Sequence, residues 1–256
     1  QMKHRQCLSG MAKQGVAMQS SKMSRFNSGL AAVFSLVLPL ASPRLTVLIP
    51  GVAIALEAVS VQAAYAQNAD DWFQSGEKKY NNGDYREAIV DFSKAIELNP
   101  KYENAYRLRG YSRDNLDDYK GAIEDFTAII ELNPRDSGAY AWRGSAKIDL
   151  ENYQGAIKDL SQAIELNPSY GFAYFSRAYA KKYLNDLRGA ISDMSMAIEL
   201  EPQEMEINDH LGDAYFRTGR HEEAKLVWER ALSLRGDRIL VEEIRKKLEK
   251  NFNYKK

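Results

Sequence analysis

Cysteine is nearly absent from this sequence. The single thiol, Cys7, lies within the first 66 residues, so the remainder can form no intrachain disulfide, thiolate nucleophile or cysteine metal site. Such a composition tolerates an oxidising compartment without requiring one. Histidine is scarce as well, with only His210 and His221 beyond the leader. These two stand 11 residues apart, but Thr218–Gly219–Arg220 between them reads as a turn, so no shared helix face and no metal site are expected. The chain contains no G-x-S-x-G, H-E-x-x-H, G-x-G-x-x-G or phosphate-loop pattern. Without converging nucleophiles, acids, bases or ligands the expectation is no enzyme, no catalytic residue and no cofactor.

Net charge is also lacking, with 35 basic and 35 acidic residues, but the balance is uneven. Residues 1–66 carry Lys3, Arg5, Lys13, Lys22, Arg25 and Arg44 against Glu57 alone, which leaves the remainder acidic by about five charges. A mildly acidic body argues against nucleic acid as a partner, because phosphate contacts need clustered Lys and Arg.

The first 66 residues read as a leader. Met11, Met18 and Met23 are alternative starts, and from Met23 the order is regular. Arg25 supplies a positive region, "GLAAVFSLVLPLA" (29–41) an apolar one, and "LTVLIPGVAIAL" (45–56) a second. Ala64 and Ala66 then occupy the −3 and −1 positions of an A-x-A cleavage site before Gln67. A cleaved bacterial export signal and a periplasmic body are the expectation. The alternative is an uncleaved inner-membrane anchor over 45–64, long enough to span a bilayer but weakened by Pro50 and Glu57.

Of seven prolines, Pro100, Pro134, Pro168 and Pro202 are each 34 residues apart, ending "AIELNP", "IIELNP", "AIELNP" and "AIELEP". A fixed period of that length marks a repeat architecture. Units fall at 69–102, 103–136, 137–170, 171–204 and 205–238. In the first, Trp72, Gly76 and Tyr80 share a helix face at i, i+4, i+8. "GDY" (83–85) reads as a turn. Ala88, Ile89, Phe92, Ala95 and Ile96 then mark a second amphipathic helix, stopped at Asn99–Pro100. A helix pair cannot bury its own apolar face, so the units must stack. The predicted fold is all-α: a solenoid of five helix–turn–helix units over 67–238, closed by a capping helix and tail at 239–256. Within "RILVEEIRKKLEKNF" (238–252), Ile239, Leu240, Ile244, Leu248 and Phe252 are assigned to the covered stripe. No comparable cap is visible before unit one, which leaves a partner, the preceding segment or nothing to cover it.

The residues at fixed positions carry a resemblance. Position 4 is Trp72, Tyr106, Tyr140 and Tyr174; position 8 is Gly76, Gly110, Gly144, Ala178 and Gly212. Position 20 is alanine five times, at Ala88, Ala122, Ala156, Ala190 and Ala224. Position 24 is large (Phe92, Phe126, Leu160, Met194, Trp228), and position 27 small except for Ile129. This pattern resembles the tetratricopeptide repeat (TPR) family, bacterial exported type. Asn208, Ile129 and Gly236 depart from it. Other residues that recur, Arg109, Arg143 and Arg177 with Asp91, Asp125, Asp159 and Asp193, are expected to pair between helices.

The resemblance implies a groove lined by the first helix of each pair at positions 2, 5, 9, 12 and 13. Carried over, it offers Phe73 in unit one, Asn104, Arg107, Tyr111 and Asn115 in unit two, and Ser145 in unit three. Unit four adds Phe172, Phe175, Tyr179, Lys182 and Tyr183. These vary between units while the packing positions do not, as a binding surface on a repeated scaffold should. Small residues in unit three beside the rings of unit four suggest a pocket for an extended peptide or partner helix. The basic clamp of some chaperone-binding TPR proteins is not matched, since Phe73 and Glu77 stand where its first Lys and Asn would be. The expected function is a non-catalytic protein-interaction scaffold or assembly factor. Self-association, or contact with carbohydrate or peptidoglycan, is the alternative, and the partner's identity stays open. If the leader is a signal, N-terminal sequencing of the mature protein finds Gln67 first; a mature chain that retains residues 45–64 supports the anchor instead.

Overall fold

The computed structural model describes residues 68–234 and 237–252, and the leader expectations lie outside them. Each 34-residue unit is a helical hairpin. The first helix, α1, covers 68–82. It is followed by α2 (Tyr85–Leu98), α3 (Glu103–Asn115), α4 (Tyr119–Leu132), α5 (Ser137–Asp149), α6 (Tyr153–Leu166), α7 (Gly171–Tyr183), α8 (Leu187–Leu200), α9 (Met205–Arg217), α10 (His221–Ser233) and α11 (Arg238–Phe252). Among the described residues there is no strand. Nor is any described helix long and apolar enough to cross a membrane.

The hairpin is set by one close approach. Where glycine holds position 8 of the first helix, a side chain would crowd the large residue at position 24. A Cβ on Gly144 would lie 2.7 Å from Leu160 Cγ, and one on Gly76 would lie 2.7 Å from Phe92 Cε1. Phe92, Phe126, Leu160 and Met194 are completely buried. In unit four the small residue is Ala178 and the large one Met194, whose unbranched thioether adapts to an added methyl where a ring cannot.

The turn inside each unit repeats as faithfully as the helices. The second helix of unit one begins at Tyr85, one residue earlier than the sequence suggested, so the turn is Gly83–Asp84. Residues 83, 117, 151, 185 and 219 all have positive φ, and three are not glycine: Asp117 (67°), Glu151 (60°) and Asn185 (62°). In every unit the next amide donates back five residues, as Asp84 N to Lys79 O (2.9 Å) and Asn152 N to Lys147 O (2.8 Å). That is a Schellman stop, in which left-handed backbone lets the chain satisfy the last helical carbonyls. Asp118, Asn152 and Asp186 then cap the second helix by accepting from Gly121, Gly155 and Gly189 N.

Between units, the "LNP" stretch works in two parts. Proline forces the preceding residue extended, and Asn99 has φ −135° and ψ 89°. Its Oδ1 accepts from Lys101 N at 3.2 Å, as Asn133 does from Arg135 and Asn167 from Ser169. The capping helix α11 buries Ile244 and Leu248 against Met205, Ala224, Trp228 and Ala231, with Leu240, Val241 and Phe252 beside them. Ile239 is not on this stripe; it is 67% exposed. It lies five residues before Ile244, about 140° around the helix from it, and Val241 takes its place.

The recurring charges pair as expected. Arg109 Nη2 lies 2.6 Å from Asp125, Arg143 Nη2 2.8 Å from Asp159 and Arg177 Nη2 2.7 Å from Asp193. A second cation on the same helix joins each: Arg113, Lys147 and Lys181. In unit one Lys79 and Ser75 serve Asp91, and together they outweigh its burial and hold the carboxyl below its usual range. Each arginine also reaches the preceding unit, donating to Ser93 (3.0 Å), Thr127 (3.2 Å) or Ser161 (3.1 Å). The arginine is thus both an intra-unit ion pair and an inter-unit staple.

Two outcomes follow for urea denaturation. Glu151→Gly relieves a left-handed β-carbon and raises stability by about 0.5 kcal/mol, whereas Gly83→Ala lowers it by about 1 kcal/mol. Asp159→Asn strands two cations and costs about 3 kcal/mol; Arg143→Met leaves Lys147 in place and costs about 1–2 kcal/mol. The double variant loses at least about 1 kcal/mol less than the sum, and strict additivity would dissolve the proposed pairing.

Candidate functional site

Groove positions on α1, α3, α5, α7 and α9 face each other across successive units, and the structure separates them into covered and open residues. Phe73 is half-buried, stacked on Tyr102 of the unit boundary at 4.9 Å and 5.8 Å from Phe92. Asn104 is half-buried. Arg107 is buried, and its Nη2 donates at 2.6 Å to Asp136, the residue that also caps α5 through Ala139 N. Burial works against the charged form of Arg107, but Tyr111 and Asp136 prevail and hold its pKa above the usual value. Tyr111 is buried, with Trp142 4.7 Å away, and burial pushes its phenol up to about 12. Asn115 is exposed and donates to Tyr111 O.

The expected pocket between units three and four is filled by the protein itself. Ser145, Phe172 and Phe175 are at most 2% exposed. Phe172 lies 4.9 Å from Trp142 and 5.7 Å from Tyr170, so the rings of units two, three and four form a continuous chain from Phe126 and Tyr111 through Trp142. A ring on the groove side of one unit is long enough to reach the first helix of the next. Spacing within a unit does not show that reach. Trp142, at position 6 and outside the groove pattern, carried no signal beyond being large where other units are not.

Open surface reappears at the end of α7. Tyr183 is 49% exposed, its ring stacked on Tyr153 at 4.9 Å and its hydroxyl 3.0 Å from that of Tyr179. Tyr179 is itself buried, and burial followed by the Tyr183 hydrogen bond raises its pKa far above the ordinary phenol value. Lys182 is half-buried, its Nζ 4.9 Å from the Tyr179 ring, 5.9 Å from that of Tyr183 and 3.3 Å from His210 Nδ1. Burial lowers its pKa, against the pull of Asp213 and Asp209. Tyr153, the first residue of α6, was overlooked because tyrosine recurs there in units one to three and so reads as part of the repeat.

His210 and His221 do not meet. His210 stands against Phe175 and Tyr179, whereas His221 packs on Phe216 at 4.7 Å. Asp209, His210 and Asp213 do bring three ligand atoms within 4.8 Å of one another. Lys247 of α11 lies 2.6 Å from Asp209 and 2.7 Å from Asp213. Burial alone would lower the pKa of Lys247, but the two carboxylates outweigh it and raise the pKa. The lysine bridges both acids and so ties α11 to α9.

Comparison with known proteins bears on the fold. No curated relative matches the sequence. Among solved structures, MamA is 26% identical, with a TM-score of 0.58 over 67% of this chain and 96% of that one. TTC0263, a thermophilic TPR protein of Thermus thermophilus, is 21% identical with a TM-score of 0.57 over 73% of this chain and 100% of its own. YrrB, described as a TPR protein with an unusual peptide-binding site, is 20% identical with a TM-score of 0.57 over 76% and 97%. Family models for the TPR repeat match residues 76–113, and those for the tetratricopeptide repeat match 108–171 and 206–238. Unit four lies between these matches, yet its helices α7 and α8 begin 34 residues after those of unit three. With about half its length matched and every unit folded to one plan, the chain belongs to the tetratricopeptide repeat family.

Proposed function

We propose that this protein is a non-catalytic interaction scaffold or assembly factor, working outside the cytoplasmic membrane, that holds a peptide or helix against the groove face of its first helices. One observation carries the reading. Packing positions repeat and are buried, whereas the groove positions differ from unit to unit and end in an anchored but open aromatic, Tyr183 on Tyr153 with Lys182 beside it. A ring held by a stack and a hydroxyl contact loses little freedom on binding, which favours it as an anchor for a partner. The ammonium of Lys182 offers the same partner a cation over two rings. YrrB, similar in fold, is described by its peptide-binding site. The export assignment rests on the leader's charged and apolar regions and its Ala64–Ala66 site.

A photo-crosslinking residue at position 183 of the full chain, expressed with its leader, tests both parts. The expected result is a peptide or protein adduct in the periplasmic fraction, absent when the same residue replaces exposed Lys158 on α6. Equal labelling at both positions, or none, would refute groove binding; an adduct found only in the cytoplasm would refute the location alone. Tyr153→Ala with Tyr183→Ala weakens binding of the captured partner by about tenfold.

A further inference from the structure

Three of the four junctions between units share the same polar staple. Arg109, Arg143 and Arg177 each hold an aspartate of their own unit and a hydroxyl 16 residues back in the preceding one. The fourth junction has the hydroxyl but not the arginine. Ser195 donates to Ile191 O at 2.9 Å, and the arginine's position in unit five is Leu211. The rest of the triad has gone with it, because Tyr215 and Val227 stand where the second cation and the aspartate would be. Asn208 occupies the position of the aromatic that the arginine overlies in units two to four.

Unsatisfied polar atoms also lie on the helices beside this junction. The two first helices that flank it, α7 and α9, bury Ser176 Oγ and Asn208 Oδ1 without a hydrogen-bond partner. An orphaned buried polar atom costs stability; Arg107 Nε and Nη1 in unit two are likewise buried without a hydrogen-bond partner, so the missing staple is what sets the fourth junction apart. At the connecting turn the asparagine is replaced by Glu201, which with Glu204 is drawn into partial burial that raises both pKa values. What spans the junction on the groove side includes the 3.3 Å contact of Lys182 with His210, the stacking of His210 on Phe175, and an exposed bond from Arg217 to Asn185.

Beyond the junction the chain is tied together again. Lys247 of α11 binds Asp209 and Asp213 of α9, and Trp228 Nε1 of α10 donates to Asp209 O. Phe252 packs on Phe216 and Trp228. One apolar cluster includes Met205, Trp228, Ile244 and Leu248. In a stack whose stability is a sum of unit and interface terms, the weakest interface decides where it opens.

We infer that the junction between units four and five is a built-in seam, at which α9, α10 and α11 open from α1–α8 as a single block. Opening there removes His210 from Phe175 and Tyr179, so the block is a cover over the rings of unit four. A merely frayed end would lose protection gradually toward the C-terminus; a seam gives a step.

Native-state hydrogen exchange on the full chain, read by mass spectrometry, decides between them. The expected result is common protection across α9–α11, at least about tenfold below that of α3–α8, with the step at residues 201–204. Giving unit four the unit-five pattern, Arg177→Leu, Lys181→Tyr and Asp193→Val, moves the step to the turn between α6 and α7. A smooth decline toward the C-terminus or one global opening in the unaltered protein overturns the seam. So does a step that the triple variant leaves where it was.

Discussion

The structure depends on one contact made in every unit: a residue with little or no side chain at position 8 against a large one at position 24. Where the first is glycine, the helices approach until a single β-carbon would collide, as Gly144 shows against Leu160. That distance fixes the angle of the hairpin, and the hairpin fixes which faces remain for the neighbours. Repeating it at a 34-residue interval makes a stack in which each apolar face is covered by the next unit and the last by α11. Dispersion and burial supply the stabilisation, and the Schellman turn and Asn-Pro stop keep the register from one unit to the next.

Charge plays a second part, on top of that packing. The aspartates at position 23 are nearly fully buried, which is tolerable only because two cations meet Asp125, Asp159 and Asp193, and Lys79 with the Ser75 hydroxyl meets Asp91. Unit five shows the other solution to the same problem. It replaces aspartate, arginine and the second cation together with Val227, Leu211 and Tyr215, so no charge is left alone. Replacing a buried ionic group whole is often neutral for the unit that carries it. The consequence appears at the junction, where the arginine's outward bond to the preceding unit is lost along with its inward one.

Most of the fold was legible because its determinants are local and periodic. Proline at 34-residue intervals, alanine at position 20 and the alternation of small and large residues each report on one hairpin. The left-handed turn was legible at Gly83 and Gly219, where glycine advertises it. It was hidden at Glu151, whose backbone is imposed by the repeat against its own preference. The groove was the least legible part. Position numbers identify which residues face it, yet Tyr111, Phe172 and Phe175 are covered because their rings meet a neighbouring unit, and Arg107 because it reaches Asp136 at the cap of α5. How far a ring reaches across a junction depends on how units stack, and no window within one unit contains that. Ile239 failed for a simpler reason, since five residues from Ile244 place it about 140° around the helix from the covered stripe.

The central contact is tested most directly by placing the same side chain at position 8 of two units. Gly144→Val faces branched Leu160 and the carbonyl of Ala156, whereas Ala178→Val faces unbranched Met194 and adds less volume. Helix propensity favours replacing glycine by valine and disfavours replacing alanine, so a larger loss at position 144 comes from the close approach and not from propensity. Urea denaturation followed by circular dichroism should show Gly144→Val less stable by about 3 kcal/mol and Ala178→Val by about 1 kcal/mol. Equal losses, or a Gly144→Val protein as stable as the original, would contradict the account.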